Sequence, residues 1–288
     1  MRVKFADVGG ILTRYIVAGS GYPLILLHGV GLSADTFLHN LEIIGERYRV
    51  YALDMLGHGF TDIVDFGSDA PHQHLVDHVE RFATTLGIGE FALGGSSFGA
   101  QIAVLLQLQQ QSRVSDLIVI GSGSCFNTEE QQARSLKDVY RNAMSALEDP
   151  TWESCERRLD NICYDRRCIP SEIILSQLTS YARPGLKTAY ESTVRGMTDL
   201  VRSRPYRIFE RLHEIRVPTL IIWGKQDTRG RYERAVLAQQ RIPDARLVLL
   251  DKCGHLPYLE RPELFNTEVL GFLDERHAPG GCPAAGNA

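Results

Sequence analysis

Gly95-Ser96-Ser97-Phe98-Gly99 lies between the apolar run Phe91-Ala92-Leu93 and the helix-forming run Ala100-Gln101-Ile102-Ala103-Val104-Leu105. A G-x-S-x-G set between a strand and a helix is a sharp turn that lifts the serine hydroxyl off the end of the sheet. The flanking glycines are needed because the turn leaves no room for side chains. The serine also stands at the positive end of the following helix. Ser97 is therefore the candidate nucleophile. Ser96 fits less well, because Phe98 then occupies the place of the second glycine. A dinucleotide-binding loop is disfavoured, since the glycine spacing is wrong and no acid ends a second strand about 20 residues on.

Outward from this turn, short apolar segments alternate with helical patterns. That rhythm predicts a mostly parallel, eight-stranded α/β sheet with helices on both faces. The expected strands are residues 3–8, 12–18, 24–28, 49–54, 91–95, 117–121, 219–224 and 246–251. Helical patterns cover 36–46, 75–86, 98–110, 231–240 and 262–273. The strand rhythm stops between Cys125 and Tyr206, a polar, helix-like stretch, and resumes at Val217-Pro218-Thr219-Leu220. The expectation is a core of 1–124 and 207–277, a helical cap of 125–206 inserted into it, and a disordered Gly/Pro-rich tail of 278–288.

A serine hydroxyl needs a base. Among nine histidines, His255 follows the last expected strand in Lys252-Cys253-Gly254-His255-Leu256. Asp227 follows the preceding strand, after Trp223-Gly224-Lys225-Gln226. Either residue alone reads as an ordinary loop side chain. Together with Ser97 they stand in the chain order Ser, Asp, His, in which an acid orients the base that activates the nucleophile. His28-Gly29-Val30-Gly31 ends another strand, so backbone N–H groups of Val30 and Phe98 are the candidate oxyanion donors.

Composition narrows the alternatives. A net charge of −4 provides no basic field for nucleic acid. No apolar run is long enough for a bilayer, and the first ten residues, MRVKFADVGG, lack a signal-peptide core. Six scattered cysteines form no C-x-x-C and read as reduced thiols, which suits the cytoplasm. His72-Gln73-His74-Leu75-Val76-Asp77-His78 imitates a metal motif with one residue too many; it reads instead as the first turn of a helix. No metal and no cofactor is expected. The expected partner is a small-molecule substrate, with a homodimer left open.

These motifs, with Asp54-Met55-Leu56-Gly57-His58-Gly59-Phe60-Thr61-Asp62, resemble the α/β-hydrolase superfamily over most of the chain. Within it, residues 54–62, Tyr164-Asp165-Arg166 and Arg183-Pro184-Gly185 resemble the meta-cleavage-product hydrolases, which cut a C–C bond in ring-opened aromatic metabolites without a cofactor. The resemblance places Ser96, Gln177 and Leu256 against the substrate. It also marks departures. That group carries asparagine, arginine and tryptophan at these positions, and the arginine binds the substrate carboxylate. Its replacement by Gln177 predicts a neutral, fairly apolar ester, lactone or ketone, with Arg183 or Arg195 as the fallback cation for an anion. Dehalogenases and epoxide hydrolases are disfavoured because they use aspartate at the position of Ser97. A lyase, a cofactor-free oxygenase or a triad-retaining ligand receptor remain alternatives on the same fold.

Overall fold

A computed structural model describes residues 1–278. Strands form at β1 (Arg2–Asp7), β2 (Leu12–Ala18), β3 (Pro23–Leu27), β4 (Arg49–Leu53), β5 (Phe91–Ser96), β6 (Val114–Ile120), β7 (Thr219–Gly224) and β8 (Ala245–Leu250). They make one eight-stranded sheet in the order β1-β2-β4-β3-β5-β6-β7-β8. β1 pairs antiparallel with β2, and β2 with β4; all later pairings are parallel. The expected sheet is therefore present, with strand ends shifted by a few residues.

Side chains of the central strands divide by the period of two that a pleated strand imposes. Ile25, Leu27, Leu117, Val119, Ile221 and Trp223 join one apolar cluster. Leu24, Leu26, Ile118, Ile120, Leu220 and Ile222 join the other. Both faces are dry, which is why these strands read as continuous apolar runs. Helices α2 (His72–Thr85) and α3 (Phe98–Gln109) add Leu75, Phe82 and Ile102 to the first cluster. Helix α1 (Leu38–Gly45) adds Leu41 and Ile44 to the second.

One helix start differs from expectation, and the histidine-rich stretch opens a helix as expected. Residues 36–46 are not one helix: a 3-10 turn at Ala34–Phe37 precedes α1. Helix α2 begins at His72, so the histidine-rich stretch forms its first turns. His72 stacks on Tyr206 at 4.6 Å and His78 Nε2 lies 2.9 Å from Thr13 Oγ1, so the two are committed to packing.

Between β6 and β7 the described residues are helical or irregular. The α-helices are α4 (Gly123–Phe126), α5 (Glu129–Met144), α6 (Trp152–Asp160), α7 (Ser171–Tyr181) and α8 (Leu186–Thr198). α5 starts at a reciprocal cap, in which Thr128 accepts from Gln131 N and the Gln131 side chain accepts from Thr128 N; α6 starts in the same way at Thr151 and Ser154. Past β7 come α9 (Glu233–Arg241), the one-turn α10 (Pro257–Glu260) and α11 (Pro262–His277). The disordered tail expected at 278–288 lies, beyond Ala278, outside the described residues, as does Cys282.

Candidate active site

The candidate residues gather at the carboxyl ends of parallel strands, where α/β sheets bind ligands. Ser97 joins β5 to α3 with φ 53° and ψ −117°, a positive-φ conformation rare for a side-chain-bearing residue. Such strain persists only where surrounding packing enforces it. The glycines show how it is enforced. A Cβ on Gly95 would lie 2.4 Å from Gly99 O, and one on Gly99 would lie 2.4 Å from His28 O. Helix α3 is thus pressed against both its own strand and the end of β3.

His255 Nδ1 lies 2.9 Å from Asp227 Oδ2. The other carboxylate oxygen accepts the N–H of Arg229 at 2.7 Å and of Gly230 at 3.3 Å. Asp227 is therefore held from its own loop while it faces the imidazole. Ser97 and His255 line one cavity of about 950 Å³, part of it open to solvent. Val30 and Phe98 line it too, and among the described residues neither backbone N–H has a hydrogen-bond partner. Both are free to donate to an oxyanion. Ser96 and Leu256 are fully buried on the same wall, and the Ser96 hydroxyl is unpaired.

The loop carrying Val30 is pinned from below. His28 Nδ1 lies 2.8 Å from Gly29 O, and its Nε2 accepts Met55 N–H at 3.0 Å. This arrangement requires the neutral ring with the proton on Nδ1. Asp54 accepts the N–H groups of Ala34 and Phe60 and an Arg14 guanidinium N–H. The segment 54–62 therefore braces the loop.

Gln177 does not line this cavity. Its amide donates to Gly31 O and to Tyr181 Oη, both at 3.0 Å, behind the loop. The fallback cations are engaged elsewhere: Arg183 donates to Gly59 O and Thr61 O, and Arg195 pairs with Glu191. The cavity wall is not the neutral one that a purely apolar substrate would favour: Arg158 from α6 and Arg229 line it. Sequence reasoning passed over both. The available signals were the i, i+3, i+4 spacing of Cys155, Arg158 and Leu159, which are all buried, and the position of Arg229 two residues past Asp227.

Glu260 was also passed over. Its carboxylate accepts the N–H groups of Tyr164, Gly254 and Leu256, clamping the His255 loop. Cys163, Cys168 and Glu260 bring ligand atoms within 4.8 Å of one another, but these bonds already occupy the carboxylate. Glu260→Ala should cost about 3 kcal/mol, because charge-assisted bonds are lost and their donors stranded. A urea midpoint unchanged from the wild type would show that the clamp is unimportant.

The family model described as the alpha/beta hydrolase family matches residues 24–268. A 2-hydroxy-6-oxononadienedioate/2-hydroxy-6-oxononatrienedioate hydrolase of Burkholderia vietnamiensis is 30% identical over 271 residues, covering 90% of each chain. A 2-hydroxy-6-oxo-6-(2'-aminophenyl)hexa-2,4-dienoic acid hydrolase of Metapseudomonas resinovorans is 27% identical, covering 95% of this chain and 91% of its own. The solved meta-cleavage product hydrolase of Pseudomonas fluorescens IP01 superposes with a TM-score of 0.79 at 26% identity, covering 94% of this chain and 97% of that one.

Proposed function

The chain belongs to the alpha/beta hydrolase family, and from that premise we propose that it is a cofactor-independent serine hydrolase of small carbonyl compounds. The observation that carries the reading is the strained Ser97 turn sharing one cavity with a histidine bonded to a buried carboxylate. Ser97 Oγ attacks the carbonyl carbon and passes its proton to His255 Nε2. Asp227 holds the proton on Nδ1 and stabilises the imidazolium that forms. The N–H groups of Val30 and Phe98 bind the oxyanion. His255 then protonates the leaving group, and water, deprotonated by the same ring, releases the acyl group.

Residues 125–206 act in this reading as a cap. Leu136, Val139, Ala143, Ile162 and Met197 give the cavity an apolar wall among polar neighbours from the same segment, and covering it in this way limits water around the acyl intermediate. Relatives named for oxo-dienoate substrates support a carbonyl compound of that kind. A short-chain 4-nitrophenyl ester tests the reading. A hydrolase is expected to release nitrophenolate over many turnovers. A single stoichiometric burst with no further turnover would instead indicate a ligand receptor that retains the triad.

A further inference from the structure

The Ser97 cavity has two guanidinium groups in its wall, and no carboxylate among the residues that line it. Arg158 is 3% exposed. Its Nη2 donates to Val30 O at 2.9 Å, while Nε and Nη1 have no partner. The Tyr181 ring, with its centroid 6.0 Å from Cζ, is neutral. Arg229 is half-buried, and among the described residues its side chain makes no ion pair or hydrogen bond. Asp227 does not neutralise it by contact. That carboxylate is occupied by His255 and by the backbone N–H groups of Arg229 and Gly230. Burial, followed by the charge of Arg158, lowers the pKa of the Arg229 guanidinium, and the more weakly felt charges of Asp227 and Asp138 do not offset this.

A buried charge is costly unless it is paired, and a guanidinium does not lose its proton to escape the cost. A fold that carries two such groups into one cavity is arranged for an anion that arrives with the ligand. We propose that Arg158 and Arg229 form a carboxylate-binding subsite, so that the substrate is a carbonyl compound bearing a free carboxylate. The subsite stands on α6 and on the Asp227 loop, not at position 177. The inference rests on the hydrolase reading and specifies its substrate class.

Arg158 also holds the carbonyl of Val30, the residue whose N–H is free to donate to the oxyanion. The same side chain thus ties the loop to the place where the substrate anion would sit. As a planar, fork-shaped cation, a guanidinium favours carboxylate strongly.

The test compares mono(4-nitrophenyl) glutarate with the neutral 4-nitrophenyl pentanoate, through the ratio of their kcat/KM values. The wild type should prefer the charged ester by on the order of tenfold or more. Arg158→Met and Arg229→Met should each reduce that ratio by on the order of tenfold to a hundredfold, and Arg158→Lys should retain part of it. If Arg158→Met does not fold, Arg229→Met decides alone. A wild type that prefers the neutral ester, or a ratio that survives both methionine variants, overturns the proposal. If neither ester turns over, the hydrolase reading fails separately. Calorimetry with glutarate then decides this one: binding to the wild type that is lost in Arg229→Met supports the subsite, and no binding to the wild type overturns it.

Discussion

Ser97→Ala, His255→Ala and Asp227→Asn should each lower kcat by on the order of 10⁴-fold or more, the size of loss seen at established Ser-His-Asp sites. The three losses should not multiply, because in the proposed mechanism the residues act on one proton. Without the hydroxyl there is nothing to activate. Without the imidazole the hydroxyl stays protonated. With an asparagine amide in place of the Asp227 carboxylate, the ring is no longer held in the required tautomer. The double variant Ser97→Ala/Asp227→Asn should therefore be no slower than Ser97→Ala alone. The measurement is kcat for a nitrophenyl ester. Near-full activity in Asp227→Asn would require another acid. The nearest acids after β6, Glu129 and Glu130, do not supply one: Glu129 pairs with Arg204 and Arg207 at the surface, and Glu130 pairs with Arg134.

The second large effect is on acid stability. Burial lowers His28 to about 4, His58 to about 3, His72 to about 3 and His78 to about 4. Hydrogen bonding gives the same picture. His58 Nε2, His72 Nδ1 and His78 Nδ1 are buried without partners, so a second ring proton on any of them would be a stranded donor. On His28 it would break the bond from Met55 N–H. The unfolded chain takes up these protons near pH 6.5, while the folded chain refuses them until about pH 3–4. Between those values the unfolded state binds more protons, so stability is full above about pH 6.5 and falls as pH falls. Four protons correspond to a slope of about 5 kcal/mol per pH unit at its steepest. Against a typical total of roughly 5–15 kcal/mol, native ellipticity should disappear between about pH 5 and pH 4. His72→Phe, which can keep the stack on Tyr206, should remove about one proton from that slope. Urea stability that stays flat from pH 7 to about 4.5 would contradict this.

The sheet was legible because its central strands are buried on both faces, and short Ile, Leu and Val runs such as Leu24–Leu27 have few other uses. The histidine-rich stretch was legible as a helix start, but its packing was not: His72 is buried against Tyr206 and Phe98, a tertiary contact with no local signature. The serine turn, Asp227 and His255 could be found because each follows a strand in a fixed chain order. The polarity of the cavity could not. The spacing of Cys155, Arg158 and Leu159 marks Arg158 rather than Arg157 as the inward residue of α6, but only the packing of that helix against the core brings it into the Ser97 cavity. Gln177 illustrates the reverse case, a position made prominent by resemblance whose side chain serves the loop behind the cavity.

The central claim is that Ser97 is the nucleophile and His255 activates it. The most direct measurement is reaction with a fluorophosphonate followed by mass mapping of the modified peptide. One adduct is expected, on Ser97, forming far more slowly in His255→Ala and absent in Ser97→Ala. An adduct on Ser96, or ester turnover by a protein that the reagent leaves unmodified, would contradict it.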